Sequence, residues 1–175
     1  AIMMGNDQQD AIRNKNVAQL TYENDYQFAK APNPPKVTAV PGDGKVTLYW
    51  DRSAESSKDK YMGNITDGVD LYDFEGYKIY RATDFEFNDA YNITDGDGNP
   101  TFLEPYVQNG VRAQWDLVDG KSGWHPVDLN GIKFYLGDDT GLTHSYVDHN
   151  VVNGQRYYYA VVSYDYGGDL SNNII

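Results

Sequence analysis

The chain has 175 residues, a formal net charge of −12 and no cysteine, with 40% apolar and 14% aromatic residues that include sixteen tyrosines and three tryptophans. This length suits one large domain, or a domain with a small appendage, and the aromatic content supplies one principal core and excludes wholesale disorder. Without cysteine there are no disulfides, thiolate chemistry or cysteine-based zinc sites, and an acidic chain with no Lys/Arg cluster makes nucleic acid and anionic membranes poor partners.

An Asp-rich surface attracts hard cations such as calcium, although the same charge also serves solubility alone. No stretch approaches the about eighteen apolar residues of a membrane span. The opening Ala1-Ile2-Met3-Met4 has no basic flank of the kind that starts a signal peptide. A start at Ala1 in mid-pattern reads as a mature product or a piece of something longer.

Taken along the chain, the run from Asn6 to Ala29 is free of Gly and Pro and carries Ile12, Leu20 and Phe28 among polar residues. It predicts a helix with a thin apolar stripe, capped by Asn6 or Asp7. Ala31-Pro32-Asn33-Pro34-Pro35 ends it and favours extended structure. The period then changes to two: Val37 and Ala39 before the turn Pro41-Gly42-Asp43-Gly44, and Val46, Leu48 and Trp50 after it, predict two antiparallel strands. After a polar stretch from Arg52 to Asp73, residues Phe74 to Arg81 predict a third strand, followed by a long, turn-rich region from Asp84 to about Gly141. Gln155 to Tyr164 is the last strong strand, with apolar residues on both faces, as expected of a central strand with one face in the core and the other under a covering loop. Gly167 to Ile175 looks like a final strand cut short.

These segments resemble a fibronectin type III domain. The resemblance rests on the Pro-rich lead-in, Val37-Thr38-Ala39-Val40, Gly44-Lys45-Val46-Thr47-Leu48-Tyr49-Trp50 with its strand B tryptophan, Gly76-Tyr77-Lys78-Ile79-Tyr80-Arg81 as strand C, and Tyr157-Tyr158-Tyr159-Ala160-Val161 as strand F. It implies an all-β, immunoglobulin-like β-sandwich over residues 34–175, with an N-terminal helix and linker in residues 1–33. An ordinary member needs about 90–100 residues, so insertions are expected at about 53–73 and 84–141. The whole is also similar to modules in very large secreted proteins of Bacteroidetes-like bacteria, which implies export, an extracellular or cell-surface setting, and residues Ala1 to Gly5 as the tail of a preceding β domain.

The sharpest local feature is Asp95-Gly96-Asp97-Gly98-Asn99 with Glu104 nearby. Alternate oxygen ligands in a Gly-rich turn can converge on calcium as in the first half of an EF-hand loop, so Asp95, Asp97, Asn99 and Glu104 are the candidate metal ligands. Against this, Pro100 stands where that loop requires glycine and Tyr106 where it requires glutamate, and an uncomplexed Asp/Gly turn is the alternative. Asn-Ile-Thr-Asp-Gly occurs twice, at Asn64 to Gly68 and Asn92 to Gly96, each a glycosylation sequon as well as an ordinary turn. Asp67, Asp70, Asp138 and Asp139 are further candidate cation ligands.

His144 and His149 flank Asp148 at a spacing that fits no zinc motif, and they read as surface histidines; His125 follows Trp124 in a loop with no base or nucleophile beside it. No nucleophile elbow, zincin motif or phosphate-cradling loop is present in the sequence, so the chain reads as noncatalytic. Trp115, Trp124 and Tyr106, with Phe134, lie in the long insertion and could form a sugar-stacking platform. The size of the insertion favours the alternative that they make a small second core. The expected function is thus a structural or adhesive module of a secreted or cell-surface protein, calcium-stiffened or not, whose partners are neighbouring domains or identical subunits in a surface assembly or filament. The alternative is a carbohydrate-binding accessory module of a secreted glycan-degrading enzyme.

Overall fold

The computed structural model describes residues 7–23, 30–59, 72–94, 97–125 and 133–167. Expectations for Ala1 to Gly5, Asn64 to Gly68, Asp95 and the segment after Gly167 lie outside them. In chain order the elements are α1 (Gln8–Glu23), β1 (Val37–Gly42), β2 (Lys45–Trp50), β3 (Phe74–Ala82), β4 (Ile93–Thr94), β5 (Pro100–Phe102) and β6 (Val107–Gln108). There follow β7 (Val111–Arg112), β8 (Gln114–Asp116), β9 (Gly123–Trp124), β10 (Tyr135–Gly137), β11 (Ser145–Asp148) and β12 (Tyr158–Asp165). Short 3-10 turns cover Ser53–Ser56 and Asn88–Ala90. The fold is all-β in several antiparallel sheets, with α1 as its one α-helix among the described residues.

The helix falls inside the Gly- and Pro-free run, and its Ile12 and Tyr22 side chains are exposed. The Pro-rich segment that follows is held in place rather than hanging free. The Asn33 amide donates to Ser57 Oγ at 2.8 Å, and the Ser163 hydroxyl of β12 donates to the carbonyl of Asn33 at 3.0 Å.

Two three-stranded sheets dominate, in the orders β1-β2-β11 and β12-β3-β8. The hairpin β1–β2 closes through Asp43-Gly44, where Gly44 takes φ +61°, a conformation glycine adopts without Cβ strain. Asn153 clamps this turn: its Oδ1 accepts from the Gly44 amide at 2.9 Å and its Nδ2 donates to Asp43 Oδ1 at 2.7 Å. Strand β11, which sequence alternation does not single out, pairs with β2 with Val147 opposite Thr47. The last long strand begins at Tyr158 rather than Gln155, since Asn153 to Tyr157 form the turn and lead-in.

Both sheets feed one core. Leu48 and Trp50 of β2 meet Phe74, Tyr77 and Ile79 of β3 and Val161 of β12, all buried. Burying side chains of this size contributes about 1.5–3 kcal/mol each. Trp50 and Tyr77 meet edge to face with centroids 5.8 Å apart. Strand β8 lies tight on β3 because residue 76 is glycine: a Cβ there would sit 2.1 Å from the Trp115 carbonyl oxygen.

Among the described residues the long insertion makes no buried cluster of its own. It sends Tyr106, Ala113, Trp115 and Leu117 into the main core, adds β8 to β3, and forms the two-stranded ribbons β4–β5, β6–β7 and β9–β10.

Candidate functional site

Alternation along β3 and β12 sets the site. Tyr77, Ile79 and Val161 point into the core, so Lys78, Tyr80, Val162 and Tyr164 emerge on the opposite face of the same sheet. The described part of the insertion arches over this face and leaves a cleft of about 690 Å³, walled by Phe102, Arg112, Trp124, Phe134 and Tyr135. That volume lies in the range of about 300–1,000 Å³ occupied by small-ligand sites. A smaller hollow of about 530 Å³ adjoins it across Arg112, Gln114 and Tyr135.

Gln114 of β8 holds the arch in place. Its Nε2 donates to the carbonyl of Leu136 at 2.8 Å and of Tyr135 at 3.1 Å, and lies 3.0 Å from the Tyr164 hydroxyl, which itself donates to the Leu136 carbonyl. Strand β10 is thereby fixed above the sheet, and its pairing with β9 sets Trp124 against Tyr135 at 5.1 Å in an edge-to-face pair. Phe102 and Phe134 make a second such pair at 5.4 Å. Trp124 is 59% exposed and Phe134 40% exposed, so both pairs leave ring surface open.

The charge in the cleft is opposite to that of the chain. Lys78 Nζ donates to the Tyr135 carbonyl at 3.0 Å and stands 4.1 Å from the Tyr164 ring centroid. Burial, reinforced by nearby Arg112, lowers its pKa to about 8. The Arg112 guanidinium lies 5.1 Å from the Tyr135 ring centroid. Among the described residues neither Lys78 nor Arg112 has a carboxylate at ion-pair distance. Lys133 adds a third cation, and Glu104 is the one carboxylate among the described lining residues.

The residues singled out from sequence are therefore separated. Trp124 and Glu104 line the cleft. Trp115 packs on Trp50 at 5.8 Å and on Tyr146 at 5.5 Å, and Tyr106 leans on Tyr146 at 6.5 Å, so these two rings belong to the core rather than to a shared platform with Trp124. Asp97 and Asn99 lie in the exposed turn before β5, and Asp95 lies outside the described residues. No group of three metal-binding side chains is assembled among the described residues. His144, expected on the surface, is half-buried: its Nε2 lies 2.5 Å from Glu55 Oε1 and its ring stands 5.8 Å from that of Tyr77. Asp148 and Asp139 are structural acceptors; Asp139 Oδ1 takes the amides of Asp119 and Gly120 at 3.1 and 2.8 Å. Lys78, Tyr80, Phe102, Arg112 and Tyr164 were not singled out. For Lys78 and Tyr80 the signal was present, as polar-ended residues alternating with Tyr77 and Ile79.

A second group of titratable residues sits at the other end of β3. Glu75 occupies a bulge between the pairs Phe74–Asp165 and Gly76–Tyr164. It is fully buried, with no hydrogen-bond partner for either carboxylate oxygen among the described residues. Burial, then the negative charge of Asp119, raises its pKa to about 8. Burial and Asp165 raise Asp73 to about 7. Neighbouring Asp116 is instead satisfied, its carboxylate accepting the Asp139 amide at 2.6 Å and the Thr140 amide and hydroxyl at 2.8 and 2.7 Å.

No protein-family model matches the chain, and no curated protein or solved structure matches it either.

Proposed function

We propose that the chain is a noncatalytic adhesive or structural module of a secreted or cell-surface protein, built as a fibronectin type III-like β-sandwich, with the cleft as its ligand-holding surface. The observation that carries this reading is the cleft itself: concave, aromatic and cationic, on a protein of net charge −12. The sandwich reading draws support from two antiparallel sheets that share one core, with an insertion grafted onto one of them. Contact with a neighbouring domain or an identical subunit would use the edge strand β1, whose six residues are all exposed.

The test is an amide-resolved NMR titration with a panel of soluble oligosaccharides and peptides, followed by mass spectrometry of the recovered ligand. A ligand that shifts the amides of Tyr80, Phe102, Tyr135 and Val162 together and returns chemically unchanged supports the reading. Turnover of the ligand, or shifts that map away from the cleft, overturns it.

A further inference from the structure

We propose that the cleft takes an acidic oligosaccharide, one whose carboxylates are spaced by neutral sugar rings, with Arg112 and Lys78 receiving a carboxylate and Trp124 and Phe134 stacking on the ring faces. This rests on the cleft being the ligand surface of a noncatalytic module.

Three observations lead to this chemistry. The first is charge. Lys78 and Arg112 are turned into one cavity without a carboxylate at ion-pair distance among the described residues, and their mutual repulsion is sustained there on a chain of net charge −12. A guanidinium and an ammonium that line one cavity are receptors for a carboxylate, and the guanidinium can bind it through two parallel hydrogen bonds. An arriving carboxylate would remove that repulsion and favour the charged form of Lys78.

The second is the open ring surface. Trp124 packs edge to face with Tyr135 and Phe102 with Phe134, and the exposed part of Trp124 and Phe134 leaves apolar ring surface on the rim. The C–H face of a pyranose is a matching flat apolar surface, and stacking it there costs no ring its hydrogen-bonding partners. Glu104 and Thr101 line the same cavity and can accept hydrogen bonds from sugar hydroxyls, the Thr101 hydroxyl proton being held by the Ile93 carbonyl.

The third excludes competing occupants. The middle of β3 pairs with β12 on one side and β8 on the other, so an extended peptide lying on this sheet face finds no free ladder to extend. A phosphodiester chain carries one charge per nucleotide, and beyond the three cations of the cleft it would face the field of the remaining acidic protein. An oligosaccharide with one carboxylate on every second ring matches a cavity lined by these cations and two aromatic pairs.

The experiment is a calorimetric and NMR titration of the whole chain with three probes: a tetrasaccharide of alternating glucuronate and N-acetylglucosamine, the same tetrasaccharide with its carboxyls reduced to alcohols, and a twelve-nucleotide oligothymidylate. The expected result is that the acidic sugar binds at least tenfold more tightly than its reduced form and that the cleft amides shift. Arg112→Gln should remove that difference, and Trp124→Ala should weaken both sugars; both side chains are exposed, and a single cooperative melting transition verifies that each variant is folded. Equal affinity for the two sugars, preference for the oligothymidylate, or binding of none of the three overturns the proposal. If a neutral sugar or a peptide still shifts the cleft amides, the module reading stands without it; if every ligand maps elsewhere, both fall.

Discussion

Arg81 of β3 and Asp148 at the end of β11 meet at 3.0 Å and thereby tie the two three-stranded sheets together. Asp148 is fully buried, and it also takes hydrogen bonds from the Tyr159 hydroxyl at 2.8 Å, the Tyr106 hydroxyl at 3.3 Å and the Asn150 amide at 2.8 Å. Arg81 is sandwiched in turn, its guanidinium 4.0 Å from the Tyr106 ring centroid and 5.2 Å from that of Tyr157.

Because every acceptor site of Asp148 is used, removing it strands two hydroxyls and leaves the half-buried Arg81 guanidinium with the Asn150 carbonyl, at 2.7 Å, in place of a carboxylate. Asp148→Ala should destabilise the fold by about 3–5 kcal/mol, as for other broken buried pairs. Urea unfolding measures this. Combining it with Arg81→Met should recover part of the loss, since the stranded charge goes with it; an undiminished loss in the double variant would mean that the hydroxyl bonds carry the stability.

Tryptophan substitutions should sort core from cleft. Trp115→Ala removes a ring packed on Trp50 and Tyr146 and should cost about 3–5 kcal/mol. Trp124→Ala removes a mostly exposed ring and one edge-to-face pair, a loss of about 1 kcal/mol. Equal costs in thermal unfolding would show that Trp124 is part of the core.

Backbone crowding predicts that Gly76→Ala is severe. The added methyl would overlap the Trp115 carbonyl and push β8 off β3, with a loss of about 2–3 kcal/mol or more. The loss of mutual protection at Gln114 and Lys78 in hydrogen exchange would locate the damage.

Stability should also fall as pH rises. Glu75 and Asp73 have folded-state pKa values of about 8 and about 7, above the ordinary carboxylate range. The folded chain therefore holds protons that the unfolded chain releases from about pH 4 upward, and their stabilisation is complete below that pH and lost through pH 7 to 8. Asp119, Asp116, Asp139 and Lys121 act on Glu75, and Asp165, Asp59 and Lys121 act on Asp73. Between pH 5 and pH 8 unfolding free energy should drop by about 2 kcal/mol or more, and Glu75→Gln should flatten the slope. A slope unchanged by that substitution would place the protons elsewhere. Above pH 8 Lys78, whose pKa is lowered, contributes in the opposite direction, so the comparison ends there.

Sequence by itself determined the all-β class, the β1–β2 hairpin and the two long strands, because period-two alternation and turn residues act over a few neighbours. Tyr77 and Ile79 against Lys78 and Tyr80 already define an inner and an outer face of β3. Tertiary structure alone decided which rings are covered. Trp115 and Trp124 stand nine positions apart in the same insertion, with similar neighbours, yet one completes the core and the other rims a cleft. That difference arises where β8 pairs with β3 and Gln114 pins β10 above the sheet, contacts spanning up to fifty positions along the chain. Likewise nothing local marks Asp148 as a buried hub or Glu75 as an unpartnered carboxylate, since burial and charge neighbours belong to the packed sheets and not to the strand that carries the residue.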